Sequence, residues 1–310
     1  MNKKTYNFIG KTKLWFSISL ILIVIIAALS VIRGVNVALE FKGGTIISYS
    51  YEGDYDVDSY KSDIEDYLKT RVTIQEGQSI SNNANSFSIS FSSNEGLSAE
   101  RQSGLTALLK EKMPEANLEV LDSNDVNPTS GREFFTKCII ATLLAVILII
   151  VYIAIRFKKI SGWSAGLCAI VALIHNLIFV FGTFVVMGYE INSNFIAVIL
   201  TILGYSVNDT IVIYDRIREN RSLLPKGTSL TELVNISTSQ SLRRSIRTSI
   251  TTVTTMIIVT IVAYIYGVTS ILSFSIPMII GMIAGTYSSL CIASPLWVWM
   301  NEGIKENKKK

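Results

Sequence analysis

The chain has 310 residues, of which 49% are hydrophobic and only 17% are charged. This composition is typical of a membrane protein and excludes a pair of ordinary soluble domains of the same total length. The formal net charge is +4, but the basic residues cluster beside apolar segments, so the charge indicates membrane topology rather than nucleic-acid binding.

Six apolar segments are long enough to cross a bilayer as helices, which predicts a polytopic α-helical membrane protein. A basic segment, 1–13, precedes the first span at 14–32, and a polar stretch at 33–132 follows it. The membrane region 133–300 then holds the other five spans, at about 134–155, 163–187, 191–213, 245–266 and 271–300, before a basic tail at 301–310. The first apolar run is longer than that of most cleaved signal peptides, so we expect it to remain as an anchor.

Lysine and arginine clusters orient the spans. With six spans, all four clusters lie on one side of the membrane, which the positive-inside rule makes cytoplasmic, so we expect both termini there. The polar stretch from Arg33 to Glu133 holds 9 basic and 17 acidic residues, a net charge of −8, and is expected on the other side. The clusters are Lys3, Lys4, Lys11 and Lys13; Arg156, Lys158 and Lys159; Arg216, Arg218, Arg221, Lys226, Arg243, Arg244 and Arg247; and Lys305, Lys308, Lys309 and Lys310.

The polar stretch contains alternating strand and helix patterns in the order β-α-β-β-α-β. The predicted strands are 45–51, 71–75, 85–92 and 118–121, and the predicted helices are 57–70 and 98–113. This order predicts an extracytoplasmic α+β domain with the ferredoxin-like fold. Phe87 and Phe91 alternate with serines and are expected in its core, whereas Tyr49, Tyr51 and Tyr55 suit either the core or a contact surface.

A glycine pair follows the first span, in the run Phe41, Lys42, Gly43, Gly44 and Thr45. The run lacks the spacing of a phosphate-binding loop, in which four residues separate a glycine from Gly-Lys-Ser/Thr. We expect the two glycines to permit a tight turn where the chain leaves the membrane.

Asp209 lies inside the fourth apolar segment, between Asn208 and Thr210. A carboxylate at the centre of a membrane helix costs about 2.5–3.5 kcal/mol on insertion scales, so we expect it to face a partner, a wet cavity or an ion path. The next span begins with arginines and hydroxyls, and hydroxyls favour helix contacts or a wet path. These residues are Arg243, Arg244, Ser245, Arg247, Thr248, Ser249, Thr251, Thr252, Thr254 and Thr255.

An arginine near the start of the fifth span is within reach of Asp209 if the two spans are antiparallel neighbours. Burial favours the protonated form of a carboxyl group, whereas a nearby arginine, which stays charged, favours the carboxylate. Moving the arginine would therefore load or release a proton, and a proton crossing the membrane releases about 2.3 kcal/mol per 100 mV. The alternative is a static pair that only fixes helix packing. The residues suit Na⁺ as well as H⁺, so the ion stays open.

Three further features lie in the apolar segments. The only histidine, His175, is mid-span, where a packed and hydrogen-bonded side chain is favoured over a pH switch. Pro277 and Pro295 are expected to shape the last span. Gly281 and Gly285 have the spacing of a close helix contact.

Together these residues resemble the SecF family, the smaller subunit of the SecD–SecF accessory complex of the bacterial Sec translocase. The resemblance covers essentially the whole chain and is carried by 41–45, 204–220 and 240–252. It implies a six-span half of the resistance-nodulation-division superfamily in the bacterial cytoplasmic membrane, with an extracytoplasmic ferredoxin-like domain. It also implies use of the proton motive force to promote preprotein translocation and release on the outer side.

The resemblance also implies partners and site residues. SecD on a separate chain, the SecYEG translocon, YajC and preproteins would be the partners, within membrane lipid. The proton-pathway aspartate of the family maps onto Asp209, beside Asn208 and Thr210, and its arginine maps onto Arg244. The family usually has less basic residues at the positions of Arg243 and Arg247, and these two arginines stay as alternatives to Arg244 as the partner of Asp209.

Two other functions suit the same topology. A small-molecule exporter half of the same superfamily usually has larger outer domains and twelve spans on one chain, and this chain has neither. A structural assembly factor without ion coupling would use Asp209 and Arg244 for packing alone. We expect no enzymatic activity, cofactor or metal, because the cysteines are too widely spaced for a metal motif and His175 is buried mid-membrane.

Overall fold

The structure, a computed structural model, describes residues 5–53, 55–78, 85–91, 97–126, 128–225 and 227–307. The predictions made for Lys3, Lys4, Lys226, Ser92 and residues 308–310 lie outside these ranges. Within them the chain forms a helical membrane region and one four-stranded sheet.

Six helical stretches are long and apolar enough to cross a membrane, as predicted. They comprise α1 (Thr12–Arg33), α5 (Pro128–Arg156), α6 (Gly162–Met187), α7 (Ser193–Leu223), α8 (Leu230–Ile265), and α9 (Thr269–Ser288) continued by α10 (Ser294–Asn307). The last span and helices α6 and α7 form the centre of the bundle, with 67%, 50% and 44% of the most apolar part of each buried. Helices α1, α5 and α8 lie at the rim, where the same shares are 6%, 17% and 11%.

The charged connection between the fourth and fifth spans is mostly helical, although the sequence predicts spans of only about 191–213 and 245–266 on either side of it. α7 continues to Leu223 and α8 begins at Leu230. Ser229 caps α8 by accepting a hydrogen bond from Glu232 N at 3.1 Å. Polar side chains then pair across the two helices, since Asn220 Nδ2 donates to Ser237 Oγ at 2.9 Å. These contacts explain why the helices extend beyond their apolar parts.

The last span is interrupted at its centre. A π turn, Ser289–Ala293, separates α9 from α10, and Pro295 is the second residue of α10. Proline has no N–H to donate to the carbonyl of Cys291 and its ring crowds that carbonyl, which accounts for the wider turn before it. Pro277 lies inside α9.

The sheet domain (residues 44–126) has the predicted ferredoxin-like order of elements. Strand order is β2-β3-β1-β4, and all neighbouring strands are antiparallel. Its elements are β1 (Gly44–Tyr51), a 3₁₀ turn (Val57–Tyr60), α3 (Lys61–Leu68), β2 (Val72–Gln78), β3 (Asn85–Phe91), α4 (Ala99–Lys112) and β4 (Glu119–Val126). The predicted boundaries differ from these by a few residues, except that the last strand is twice as long.

Alternate residues of the strands pack against α3 and α4. Phe87 and Phe91 are buried in this core, as predicted, and Tyr49 and Tyr51 join them, while Tyr55 packs at its edge. The opposite face of the sheet is polar and carries a bond of 2.9 Å between the hydroxyls of Ser48 and Ser88.

A short helix, α2 (Leu39–Lys42), and the glycine pair join α1 to the sheet domain. Gly43 and Gly44 have φ angles of 79° and 148°, which confirms the predicted tight turn, because residues with a Cβ rarely adopt such angles. Phe41 packs on α5, with its ring centroid 5.0 Å from that of Phe135. Thr45 Oγ1 donates to Asp125 Oδ1 at 2.5 Å on β4. The run therefore seats the sheet domain on the membrane region.

Candidate functional site

Asp209 lies on the buried face of α7 and is 4% exposed. Asn192 starts this helix by accepting a hydrogen bond from Phe195 N at 3.2 Å. Residues spaced three or four apart then face the bundle centre, and Ser206, Asp209 and Ile213 belong to this row. The sequence around Asp209 therefore folds as one continuous apolar helix with a single carboxylate pointing inward.

Hydroxyl groups from neighbouring helices surround the Asp209 carboxylate. Thr286 on α9 donates from Oγ1 to Asp209 Oδ2 at 3.3 Å, and the hydroxyl of Ser249 on α8 lies 2.5 Å from Thr286 Oγ1. Tyr205 on α7 donates to Ser249 Oγ at 3.3 Å. The site is therefore a small cluster of hydroxyls around one acid.

The three candidate arginines on α8 lie outside this cluster. Arg243, Arg244 and Arg247 are exposed. In the part of the chain that the structure describes, no basic nitrogen lies within 4.0 Å of the Asp209 carboxylate. Acid and base are thus on adjacent helices but are not joined as an ion pair.

The neighbours of Asp209 in sequence point elsewhere. The Thr210 hydroxyl lies 2.8 Å from Ser289 Oγ in the π turn, and Ser289 in turn donates to the carbonyl of Ser206 at 3.4 Å. Thr210 therefore fixes α7 against the interruption in the last span. Asn208 is exposed on the other side of α7 and does not join the hydroxyl cluster.

Most hydroxyls of α8 bond to their own helix. Thr252 donates to the carbonyl of Thr248 at 2.9 Å, and Thr255 to that of Thr251 at 3.0 Å. Of the α8 hydroxyls predicted from the sequence, Ser249 connects to Asp209, through the Thr286 hydroxyl.

The last span supplies a site residue that the sequence reasoning missed. Thr286, the hydrogen-bond donor to Asp209, begins a run of four hydroxyl side chains in the middle of an apolar span, Thr286 to Ser289. Such a run is a polar signal of the same kind as the one noticed on α8.

Charges farther along α7 pair with one another. Asp215 Oδ1 lies 2.6 Å from Arg218 Nη2 and 3.2 Å from Arg156 Nη2. These groups are half exposed at the end of the bundle and are typical surface pairs, which contribute little to stability.

His175 on α6 is packed and hydrogen-bonded, as the sequence favours. It is buried, and its Nε2 lies 3.1 Å from Ser19 Oγ on α1. Within the described ranges, no three histidine, cysteine, aspartate or glutamate side chains are grouped closely enough to hold a metal ion.

Comparisons with known proteins agree with this architecture. The family described as "Protein export membrane protein SecD/SecF, C-terminal" matches residues 106–303. Protein translocase subunit SecF of Petrotoga mobilis is 32% identical over 307 residues, and the alignment covers 98% of each of the two chains. Protein translocase subunit SecDF of Thermus thermophilus is 32% identical over 309 residues, which make up 98% of this chain and 40% of SecDF.

Two solved structures of SecDF resemble the whole fold. The crystal structure of SecDF from Thermus thermophilus matches with a TM-score of 0.78 at 31% identity, covering 96% of this chain and 39% of that one. SecDF in its super-membrane-facing form matches with a TM-score of 0.68 at 31% identity, covering 99% and 40%. This chain therefore spans about two fifths of those SecDF chains.

Proposed function

We propose that this chain, which belongs to the SecD/SecF family of protein export membrane proteins, acts with SecD to promote preprotein translocation and release on the outer side of the membrane. In this proposal the proton motive force supplies the energy, and Asp209 carries the proton.

The observation that carries the proposal is the buried Asp209 carboxylate, which is hydrogen-bonded to the Thr286 hydroxyl and to no basic side chain of the described residues. Breaking a buried ion pair costs about 3–5 kcal/mol, and a carboxyl group among hydroxyls gains and loses a proton without that cost. Arg244 on the adjacent helix is exposed and unpaired among the described residues. A movement of α8 against α7 would bring its charge toward Asp209 and release the proton.

We propose that the charged ends of α7 and α8 face the cytoplasm, with both termini, and that the sheet domain lies outside. The SecDF relative supports SecD as the partner. This chain matches 40% of SecDF, and in our proposal the remaining part of SecDF corresponds to SecD on a separate chain. In this view SecYEG supplies the emerging preprotein, and YajC joins the same complex.

The Asp209→Asn variant tests the proton-carrying role. We expect it to lose most of the export stimulation by a proton gradient, because an amide binds no proton at neutral pH. Export is measured in vesicles that contain the full complex, under a proton gradient and, separately, a sodium gradient.

The matched control is Asp215→Asn on the same helix, whose carboxylate is 46% exposed and paired at the surface. This variant should export like the wild type. Normal proton-driven export by Asp209→Asn would refute the role. An equal loss of export and of complex abundance, measured by blotting, would favour the assembly-factor alternative.

A further inference from the structure

Helix α1, which leads into the sheet domain, is attached to the bundle by a polar contact at its centre. Its one buried residue is Ser19, which is 5% exposed. The Ser19 hydroxyl lies 3.1 Å from His175 Nε2 on α6 and 3.1 Å from the hydroxyl of Tyr287 on α9. Tyr287 also donates to the backbone carbonyl of Trp15 at 2.8 Å. An otherwise lipid-facing helix is therefore positioned by a serine in the membrane interior.

Helices α1 and α6 run side by side in the same direction, and their contacts repeat after seven residues. Ser19 meets His175, and Ile26 packs on Gly182, where a Cβ would lie 2.7 Å from Ile26 Cγ1. At the end of the pair, Arg33 Nη1 donates to the carbonyl of Val186 at 2.5 Å. The seven-residue repeat keeps one side of α1 on one side of α6 over its length.

On its other side, His175 connects to α7. Its Nδ1 lies 3.2 Å from Asn176 Oδ1, and Asn176 Nδ2 donates to Ser206 Oγ at 2.7 Å. Ser206 precedes Asp209 by three residues, about one helical turn. Ser19, His175, Asn176 and Ser206 thus form one buried hydrogen-bonded chain from α1 to the turn of α7 that carries Asp209.

We propose that His175 is a positioning residue that ties α1, and with it the sheet domain, to the turn of α7 that carries Asp209. The link gives movements near Asp209 a direct path of hydrogen bonds to the helix that leads into the sheet domain. Its consequence for export rests on the proposed function, whereas the contact of His175 with Ser19 does not.

The chain has a single histidine, so ¹⁵N-histidine labelling reports on His175 alone. Full-length protein with a purification tag free of histidine is placed in phospholipid vesicles and studied by solid-state NMR. We expect Ser19→Ala to move the Nε2 resonance, because the substitution removes the hydrogen-bond partner of Nε2. An Nε2 resonance that Ser19→Ala leaves unchanged would overturn the proposal.

Two substitutions at position 175 separate positioning from packing. In His175→Gln the amide reaches the Nε2 position and keeps the bond to Ser19, whereas in His175→Asn it reaches only the Nδ1 position. We expect export per molecule of complex to stay near the wild-type level for glutamine and to fall about fivefold for asparagine, the factor for one lost hydrogen bond. Equal export by the two variants would contradict the positioning role.

Combination with Asp209→Asn distinguishes the two proposals. If His175 acts by positioning the helix that carries Asp209, His175→Asn should cause no further loss in the Asp209→Asn background. A further fivefold loss there would overturn the link to Asp209. Normal export by Asp209→Asn alone would refute the proton-carrying role and would leave the Nε2 measurement valid.

Discussion

At the scale of single residues, the sequence predicts which side chains form the site more readily than which neighbours those side chains contact. Asp209 stands out in the sequence because a carboxylate is rare in a membrane span, and it is buried as expected. The residue that contacts it, Thr286, lies 77 positions away and was not predicted. A hydroxyl is common enough in membrane helices that its type alone does not say which neighbour it faces.

Glu190, in the loop between α6 and α7, provides a prediction about pH. Burial raises the pKa of its carboxyl group; the charge of Lys42 opposes this and that of Glu40 adds to it. The folded state then binds the proton more tightly than the unfolded state. The ionised carboxylate therefore lowers the free energy of unfolding at neutral pH, and this loss disappears as the pH falls from the raised pKa of the folded state to the usual pKa of the unfolded state. We expect Glu190→Gln to raise the melting temperature in detergent at neutral pH, with a smaller gain at acid pH.

The control for this prediction is Glu115→Gln, since Glu115 is exposed on the sheet domain. It should leave the melting temperature unchanged at both pH values. A gain for Glu190→Gln that is the same at neutral and acid pH would contradict the assignment to the carboxyl group.

At the scale of elements, periodicity and length were enough to predict the spans and the strand order, because each element must bury an apolar face of its own. They did not predict that α7 and α8 continue past their apolar parts, since polar pairs such as Asn220 with Ser237 form only after both helices exist. The π turn was missed for a similar reason. Pro295 signals an irregularity, but its form depends on the contacts of Ser289 with α7.

The packing of α9 on its neighbours yields a prediction about stability. A Cβ added to Gly281 would lie 2.7 Å from Ile202 Cδ1 on α7 and 2.9 Å from Val180 Cγ2 on α6. We expect Gly281→Ala to lower the free energy of unfolding by about 1–3 kcal/mol, the usual cost of overpacking. Thermal unfolding in detergent measures the change, and Ile202→Ala added to Gly281→Ala should recover part of it.

Gly204 on α7 offers the matched control. A Cβ there would meet no atom within 4 Å, so Gly204→Ala should be neutral or stabilising by up to about 1 kcal/mol, through helix propensity. Equal melting temperatures for Gly281→Ala and Gly204→Ala would show that α9 has room to move away.

At the scale of the whole molecule, α8 has an exposed polar side in the membrane region that the described part of this chain does not cover. Part of its exposed surface in the membrane region is a stripe of arginines and hydroxyls beside exposed isoleucines, whereas the exposed side of α5 is apolar there. The stripe comprises Arg244, Arg247, Thr251, Thr254 and Thr255, and the exposed isoleucines include Ile250, Ile257 and Ile258. Charged side chains are costly against lipid and hydroxyls favour helix contacts, so this side is expected to meet protein.

We therefore predict that α8 packs against SecD in the assembled complex. A photo-crosslinking amino acid at Thr251 or Thr255 should link to SecD, because both positions lie on the polar side of α8. The same group at Leu144 or Leu148, on the apolar exposed side of α5, should react several-fold less with SecD and mainly with lipid. The yields are compared by blotting of membranes that contain the whole complex.

Strong links to SecD from Leu144, with none from Thr251, would place the partner on α5 and leave α8 facing lipid. Links from α8 would instead explain how Arg244 stays charged in the membrane beside Asp209, because the partner rather than lipid would surround it.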